Sequence, residues 1–429
     1  MNQRLFFLSA SALLLLPAHA LDIDYRNKGA DGVFAPTGES VVVDLSLASP
    51  GSWDGATPEH DHGIYDAEKW AVVFKFSSVN IPAGTTVTFK NHPSRAPVVW
   101  LVDGDATIEG RVDLSGARGD GDPNRLALSE PGPGGFRGGD YQIIGTGSVS
   151  GLGPGGAYGN PGAGTGPGNQ GASFGTAGSL GWGATITVPT YGNSSLIPLI
   201  GGSGIGPDGN APYFGGGAGG GAILLAASGR IHLGAAGAIQ ANGTPGPVGA
   251  AGGGTGGGIR LVCESLTGLG SIEALSKTYS GNGRIRLETR DFPGTVVAQP
   301  FTVAVPPRNP VQLWPETNAP TARVVSVAGV EPPPDPRAEI SFGLVGGTRN
   351  SDIPLPASSV SNLVTIETLN LPSTATVTFR VVSIPSGGDL RVKAELASVD
   401  PQNPSRLLWT NTVVMPPGYH AVQVVAVSP

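Results

Sequence analysis

Between Gly221 and Gly246 apolar runs and small breakers alternate in a pattern that returns along the chain. Ile223, Leu224 and Leu225 make one run of β-formers, Ser228-Gly229 interrupts it, and Ile231 and Leu233 follow. Gly234 and Gly237 then lead into Ile239, and Asn242-Gly243 closes the unit. Such spacing predicts strand, turn, strand, turn, strand. The wording recurs over 258–275 (GIRLVCESLTGLGSIEAL) and more loosely over 98–116 (VVWLVDGDATIEGRVDLSG). Ile223 and Ile259 are 36 residues apart, and Ile239 and Ile272 are 33 apart. Self-similarity at that period predicts stacked units whose short strands pair with the unit above and below.

In the looser copy Ile108, Val112 and Leu114 alternate with Thr107, Glu109, Arg111 and Asp113, so one face is expected in a core and the other in solvent. Upstream, 40–47, 70–76, 85–90 and 98–102 are rich in Val, Phe, Thr or Trp and read as strands. An exposed end of a stack would offer unpaired strand edges, so residues 21–97 are expected to form a cap and the first coils. Asn282 to Leu287 reads as a last rung. Over 301–321 Pro306, Pro307, Pro310, Pro315 and Pro320 forbid regular pairing and mark a linker. Beyond it, 322–328, 338–345, 364–369, 374–382, 390–396, 407–414 and 420–427 make about seven short strands, the number of a small β-sandwich. Within 390–396 Leu390, Val392, Ala394 and Leu396 alternate with Arg391, Lys393 and Glu395, as in a half-buried antiparallel strand.

Glycine changes this picture in the middle of the chain. Of 69 glycines, 45 lie between Pro131 and Arg260, where only Arg137, Asp140, Asp208, Arg230 and Arg260 carry charge. Disordered tails combine low hydrophobicity with high charge, so ordered loops lying over a surface are the expectation, with a flexible insertion as the alternative. There is no strict third-position glycine, which excludes collagen. Within the stretch Ile143-Ile144, 184–188 and 196–200 could pair as strands, and Phe136, Tyr141, Tyr158, Phe174, Trp182 and Tyr191 are spaced to anchor the loops.

Twenty-five basic against 32 acidic side chains leave a formal charge of -7, which excludes a polyanion such as nucleic acid as the electrostatic partner of the whole chain. Residues 1–20 read as a signal peptide, with Arg4, an apolar run from Leu5 to Leu16, and Ala18-His19-Ala20 before Leu21. No long apolar run follows, so no membrane-spanning segment is expected after cleavage. Cys263 is the single cysteine and reads as a small buried hydrophobe in a strand.

The phrases GGGAILLAASGRIHLGAAGAIQANG and VVWLVDGDATIEGRVDLSGARG resemble the repeat text of glycine-rich bacterial secreted and cell-surface β-solenoid proteins, which are adhesin-like right-handed β-helices. The resemblance is compositional and spans 98–287 at most. It implies an all-β fold and a surface location, and it carries over no functional residue. The expected organisation is a signal peptide (1–20), a cap with first β coils (21–97), a glycine-rich parallel β-helix or solenoid with long loops (98–300), a linker (301–321) and an antiparallel β-sandwich (322–429).

Candidate chemistry is thin. Asp103, Asp105, Glu109 and Asp113 could place an acid and a base on a solenoid face, as polysaccharide lyases and glycoside hydrolases do, with Arg111 the basic residue nearest in sequence. Each also fits an ordinary turn or an outward strand position. Asp120-Gly121-Asp122-Pro123-Asn124 spaces oxygens as calcium ligands do, but an Asx turn explains it equally. Arg118-Gly119-Asp120 spells an integrin-type triplet, and Glu59, His60, Asp61, His62 and Asp66 could gather around zinc. Asn193 and Asn242 open glycosylation sequons. No phosphate loop or nucleophile elbow occurs, and no cofactor is called for. The expected role is an exported non-enzymatic structural or adhesive surface protein, with extracellular glycan or cell-surface components as partners and self-association open. The alternative is a polysaccharide lyase or glycoside hydrolase on the same scaffold, and a third possibility makes the sandwich the binding module.

Overall fold

A computed structural model describes residues 20–55, 62–117, 129–139, 151–157, 171–179, 187–206, 216–244, 253–276, 278–332, 355, 361–383, 389–415 and 420–427. The fold is all-β, and among the described residues the one helical element is a three-residue 3-10 turn, Leu45–Leu47. It ends the first long strand, Ser40–Asp44, because the Asp44 carboxylate accepts from the Ser46 amide at 2.9 Å and turns the chain.

The strands before residue 300 pair almost wholly in parallel, in three stacks. In the first, Ala71–Phe76, Val98–Val102, Ala222–Ala227, the first half of Gly258–Gly268 and Arg284–Asp291 lie side by side. In the second, Val33–Phe34, Ser78–Ile81, Ala106–Ile108, Arg230–Leu233 and the second half of Gly258–Gly268 do so. The third holds Ser40–Asp44, Thr86–Lys90, Arg111–Asp113, Ala238–Gln240, Ser271–Glu273 and Val297–Gln299. Gly258–Gly268 is long enough to pair in two stacks, so these count as one 11-stranded sheet beside a 6-stranded one. One antiparallel pairing, Ile64–Asp66 against Ala71–Phe76, closes the start of the first stack.

The repeats are paired residue on residue. Ile223 lies opposite Ile259 and Ile239 opposite Ile272, while the looser copy enters with Val98 opposite Ile223 and Val112 opposite Ile239. Asn282 to Leu287 joins with Ile285 opposite Ile259. Side chains from all three stacks meet in one buried cluster that includes Phe74, Trp100, Leu225 and Leu261 from the first, Ile81, Ile108 and Ile231 from the second, and Val87, Val112, Ile239 and Ile272 from the third. Each such buried aliphatic stabilises by roughly 1.5–3 kcal/mol relative to exposure.

The one-face-in, one-face-out expectation holds for 106–114, where Ile108, Val112 and Leu114 are buried and Thr107, Glu109 and Asp113 only half-buried. It fails for the first stack, in which Ala71–Phe76, Val98–Val102 and Ala222–Ala227 are buried on both faces. The cover comes from both ends of the parallel region: Leu21, Ile23 and Tyr25 with Val311 and Leu313 pack on Val73, Val99, Leu101 and Leu224. Leu21 also donates its backbone N–H to the Ser228 carbonyl at 2.6 Å. The proline-rich stretch is therefore packed along the sheet over 311–314 and does not hang as a spacer there. Arg260, 1% exposed, fixes it by donating to the Gln312 carbonyl at 2.7 Å and to Glu288 at 3.0 Å. Burial pulls the Arg260 guanidinium down from its ordinary value, against the Glu288 charge.

The described parts of the glycine stretch are packed. Successive amides Gly201, Gly202, Gly204 and Ile205 donate to Gly134, Gly220, Leu152 and Gly217, so one segment bonds to three others. In a strand, peptide groups point alternately left and right; here they turn through several directions, as in an extended chain with three residues per turn. Such contact between backbones leaves no room for side chains. A Cβ on Gly219 would sit 2.0 Å from the Gly202 carbonyl oxygen, and one on Gly254 would sit 1.8 Å from that of Ala218. Phe174 and Tyr191 anchor this region as expected, stacked 4.6 Å apart with Arg284 over the Phe174 ring. Phe174 is 0% exposed and Tyr191 half-buried, with its hydroxyl donating to the Gly201 carbonyl. Residues 196–200 form no strand, and Ile143-Ile144, most of 184–188, Tyr141, Tyr158 and Trp182 lie outside the described residues.

Beyond residue 320 the sheets are antiparallel. Thr321–Val327, Asn362–Leu369, Arg406–Val413 and Glu395–Val399 make a 4-stranded sheet; Asp389–Lys393, Thr376–Ser383 and His420–Val427 make a 3-stranded one. Val364, Ile366 and Trp409 of the first share a buried cluster with Val377, Phe379 and Val381 of the second. The expected strand 338–345 lies outside the described residues. The expected strand 390–396 divides at Ala394, passing from one sheet to the other. Its alternation therefore survives only in the middle: Ala394 is buried, but Leu390 and Leu396 are 48% and 39% exposed because each half is an edge strand.

Candidate functional site

The outward positions of the second and third stacks are in register from unit to unit. In the second, Asn80, Thr107, His232 and Thr267 lie opposite one another in order. In the third, Asp113, Gln240, Glu273 and Gln299 do the same. Parallel pairing sets neighbouring groups in a column about 4.8 Å apart, so each of the two stacks carries an outward column of polar side chains.

The four candidate carboxylates do not converge. Asp105 accepts from the Arg230 amide at 2.7 Å and pairs with its guanidinium at 3.3 Å. Asp113 accepts from the Ser115 amide at 2.9 Å. Asp103 is exposed just past the strand Val98–Val102, and its charge adds to the burial that holds the Tyr25 hydroxyl above its usual value. Glu109 reaches His232, whose Nε2 lies 3.6 Å from its Oε1, and the other ring nitrogen, Nδ1, sits 3.0 Å from the Thr267 hydroxyl. Carboxylate, imidazole and hydroxyl in a row are the parts of an activated nucleophile. All three lie half-buried or exposed on an outward sheet face, where the same contacts bind the units together. Glu273 is held likewise, accepting from Gln240 at 2.8 Å and Asn242 at 3.2 Å.

Sequence reasoning named Glu109 and Asp105 but missed their partners Arg230 and His232, more than 120 residues away. The signal was present. Aligning the two repeats on Val98 and Ile223 puts Thr107 opposite His232 and sets Arg230 one position before the Ala106–Ile231 pair. Arg111 is exposed on the third stack and does not pair with Asp105.

The other candidates resolve to local roles or fall outside the described residues. Glu59, His60 and Asp61 lie outside them, as do the calcium-like segment Asp120–Asn124 and the Arg118-Gly119-Asp120 triplet. Asp66 is buried and accepts from the backbone amides of Trp53 and Lys69 at 2.8 and 2.9 Å. Among the described residues no three His, Cys, Asp or Glu side chains gather as a metal site. Asn193 accepts from the Ser195 and Ile197 amides, and Asn242 from that of Leu275, so both sequon asparagines hold turns. Cys263 is fully buried, and burial raises its thiol to about 11, so it is a protonated core side chain at neutral pH. Among the described residues no helix is long and apolar enough to cross a membrane.

Concave surface is found in the antiparallel part, where a cleft of about 680 Å³ opens beside Lys393 and Trp409. No family model matches this chain, and no curated protein or solved structure does either.

Proposed function

We propose that this protein is an exported, non-enzymatic component of the cell surface, structural or adhesive, in which a capped β-solenoid displays its outward polar columns to carbohydrate and a small β-sandwich closes the chain. The observation that carries the reading is the register of those columns, Asn80–Thr107–His232–Thr267 and Asp113–Gln240–Glu273–Gln299. Regularly spaced amides, hydroxyls and carboxylates, with Gln240 held to Glu273 and His232 to Thr267 on the next strand, suit the repeating hydroxyl edge of an extended polysaccharide. Chains of paired parallel strands contact mainly their neighbours, so such a scaffold lengthens a surface without assembling a pocket. The leader-like residues 1–20 supply the route out of the cell.

The test is binding of the purified chain from Leu21 onward to a glycan array and to whole cells, alongside a variant carrying Thr107→Ala, Gln240→Ala and Thr267→Ala. Binding by the parent that the variant loses is expected. Absence of binding by the parent to any glycan or cell removes the adhesive reading. A second reading, a polysaccharide lyase or hydrolase, retains one observation, the Glu109–His232–Thr267 row. Product release from a polysaccharide panel that Glu109→Gln abolishes would favour it.

A further inference from the structure

We propose that the cleft in the antiparallel part is a separate binding site for an anionic oligosaccharide, one bearing carboxylate or sulfate groups. The cleft exists because one strand serves two sheets. Asp389–Lys393 is the edge of the 3-stranded sheet and Glu395–Val399 the edge of the 4-stranded sheet, with the single residue Ala394 between them. Ala394 is buried and donates its N–H to the Val377 carbonyl at 2.8 Å, which pins the crossing point. On either side the two sheet edges part, and the opening of about 680 Å³ is of the size that holds a small ligand.

Its lining selects the ligand class. Arg391 and Lys393 stand two apart on a strand, hence on one face, and both line the cleft and are exposed. Among the described residues neither side chain takes part in an ion pair or hydrogen bond. The nearby cations are spent: Arg323 and Arg406 hold Glu367 at 2.7 and 2.5 Å, and Arg380 reaches Gln423 at 3.2 Å. Against these two charges the cleft sets one carboxylate, Glu395, so its local sign opposes the chain's net charge of -7. A guanidinium fork matches carboxylate or sulfate oxygens two at a time, and an ammonium adds a second contact. The rest of the wall mixes hydroxyl and amide groups, from Ser373, Thr374, Thr376 and Asn411, with the carbon of Ala375, Val392 and Leu396. Trp409 donates its indole N–H to Thr368 at 2.8 Å and is only 4% exposed, so it backs the cleft from the core, while Leu396 beside it is exposed. Hydroxyl and amide groups beside paired cations suit the hydroxyls of a charged sugar, and Leu396 offers carbon to the C–H face of its ring.

The test is titration of the full mature chain with oligouronates, with sulfated oligosaccharides and with neutral oligosaccharides of matched length. The double variant Arg391→Gln/Lys393→Gln and the column variant Thr107→Ala/Gln240→Ala/Thr267→Ala are run in parallel, with thermal midpoints to confirm folding. We expect one anionic class to bind, to weaken about tenfold or more in the double variant, as loss of charge-assisted hydrogen bonds implies, and to bind the column variant unchanged. The two anionic arms tell carboxylate from sulfate. Anionic binding that the double variant retains, or that only the column variant loses, overturns the cleft and leaves the surface-column reading standing. No anionic binding by the parent overturns it as well.

Discussion

Replacing Gly219 by alanine tests whether the glycine segments are a close-packed part of the fold. No left-handed φ is required of Gly219, so the demand on this position is for room alone. A Cβ there would lie 2.0 Å from the Gly202 carbonyl oxygen and 2.2 Å from its carbon, both backbone atoms that no rotamer change can move. Relief needs the segments to part by about 1 Å, and three backbone hydrogen bonds cross that contact: Gly219 to Phe136 and Phe136 to Gly202 at 2.9 Å, and Gly202 to Gly220 at 2.8 Å. At about 0.5–1.5 kcal/mol net for each bond, plus about 1–3 kcal/mol for overpacking, the cost comes to roughly 3–7 kcal/mol. That is a large part of the 5–15 kcal/mol that holds a typical domain. Gly51→Ala is the control, since an added Cβ meets only the Ile64 Cγ2 at an ordinary 3.6 Å on the surface. It should stay within about 0.5 kcal/mol of the parent. Urea titrations of the two variants and the parent, followed by tryptophan fluorescence, make the comparison. Equal midpoints for Gly219→Ala and Gly51→Ala would refute the reasoning, because a loosely draped loop would simply move aside.

Three further outcomes follow from buried groups. Glu288→Gln should destabilise by about 3–5 kcal/mol, because it strips the carboxylate from the buried Arg260; it should also loosen 311–314, and limited proteolysis there reports it. Burial pushes the Glu367 carboxyl up, but the hydrogen bonds and charges of Arg323 and Arg406 outweigh it and hold the carboxyl below its ordinary value. A depressed carboxylate contributes stability above its unfolded pKa, about 4.3, and that contribution is lost as pH falls through the folded value. Acid titration should therefore destabilise the antiparallel part below about pH 4.3, and Glu367→Gln should flatten that limb of the curve; an unchanged slope would count against the pairing. Cys263, with its thiol near 11 and no exposure, should be silent to a thiol reagent in the native protein and give one equivalent in denaturant.

The strand inventory was open to reading because strands have a period of two and turns have a small vocabulary. The 36- and 33-residue offsets picked out Ile223 with Ile259 and Ile239 with Ile272, and these pairs are hydrogen-bonded neighbours for that reason: residues that play the same part in successive units meet across a parallel ladder. Most C-terminal strands were legible on the same ground, among them 322–328, 364–369, 407–414 and 420–427, while 390–396 divides between two sheets and 338–345 lies outside the described residues. The glycine stretch was harder, since glycine states only that room is needed and not by what; the Gly202 carbonyl against Gly219 comes from another segment altogether.

Local pattern thus determined which stretches are strands and which residues face in, since alternation and turn chemistry are properties of a few neighbouring residues. Tertiary structure alone decided what meets across distance. The first stack is buried on its outer face because Leu21–Tyr25 and Val311–Trp314 cross it, His232 stands beside Glu109 because parallel registers place it there, and the cleft opens because Ala394 switches sheets. Each of these joins parts of the chain far apart in sequence, so the meeting is set by packing, and only the His232 register left a mark in the order of residues, through the alignment of the two repeats.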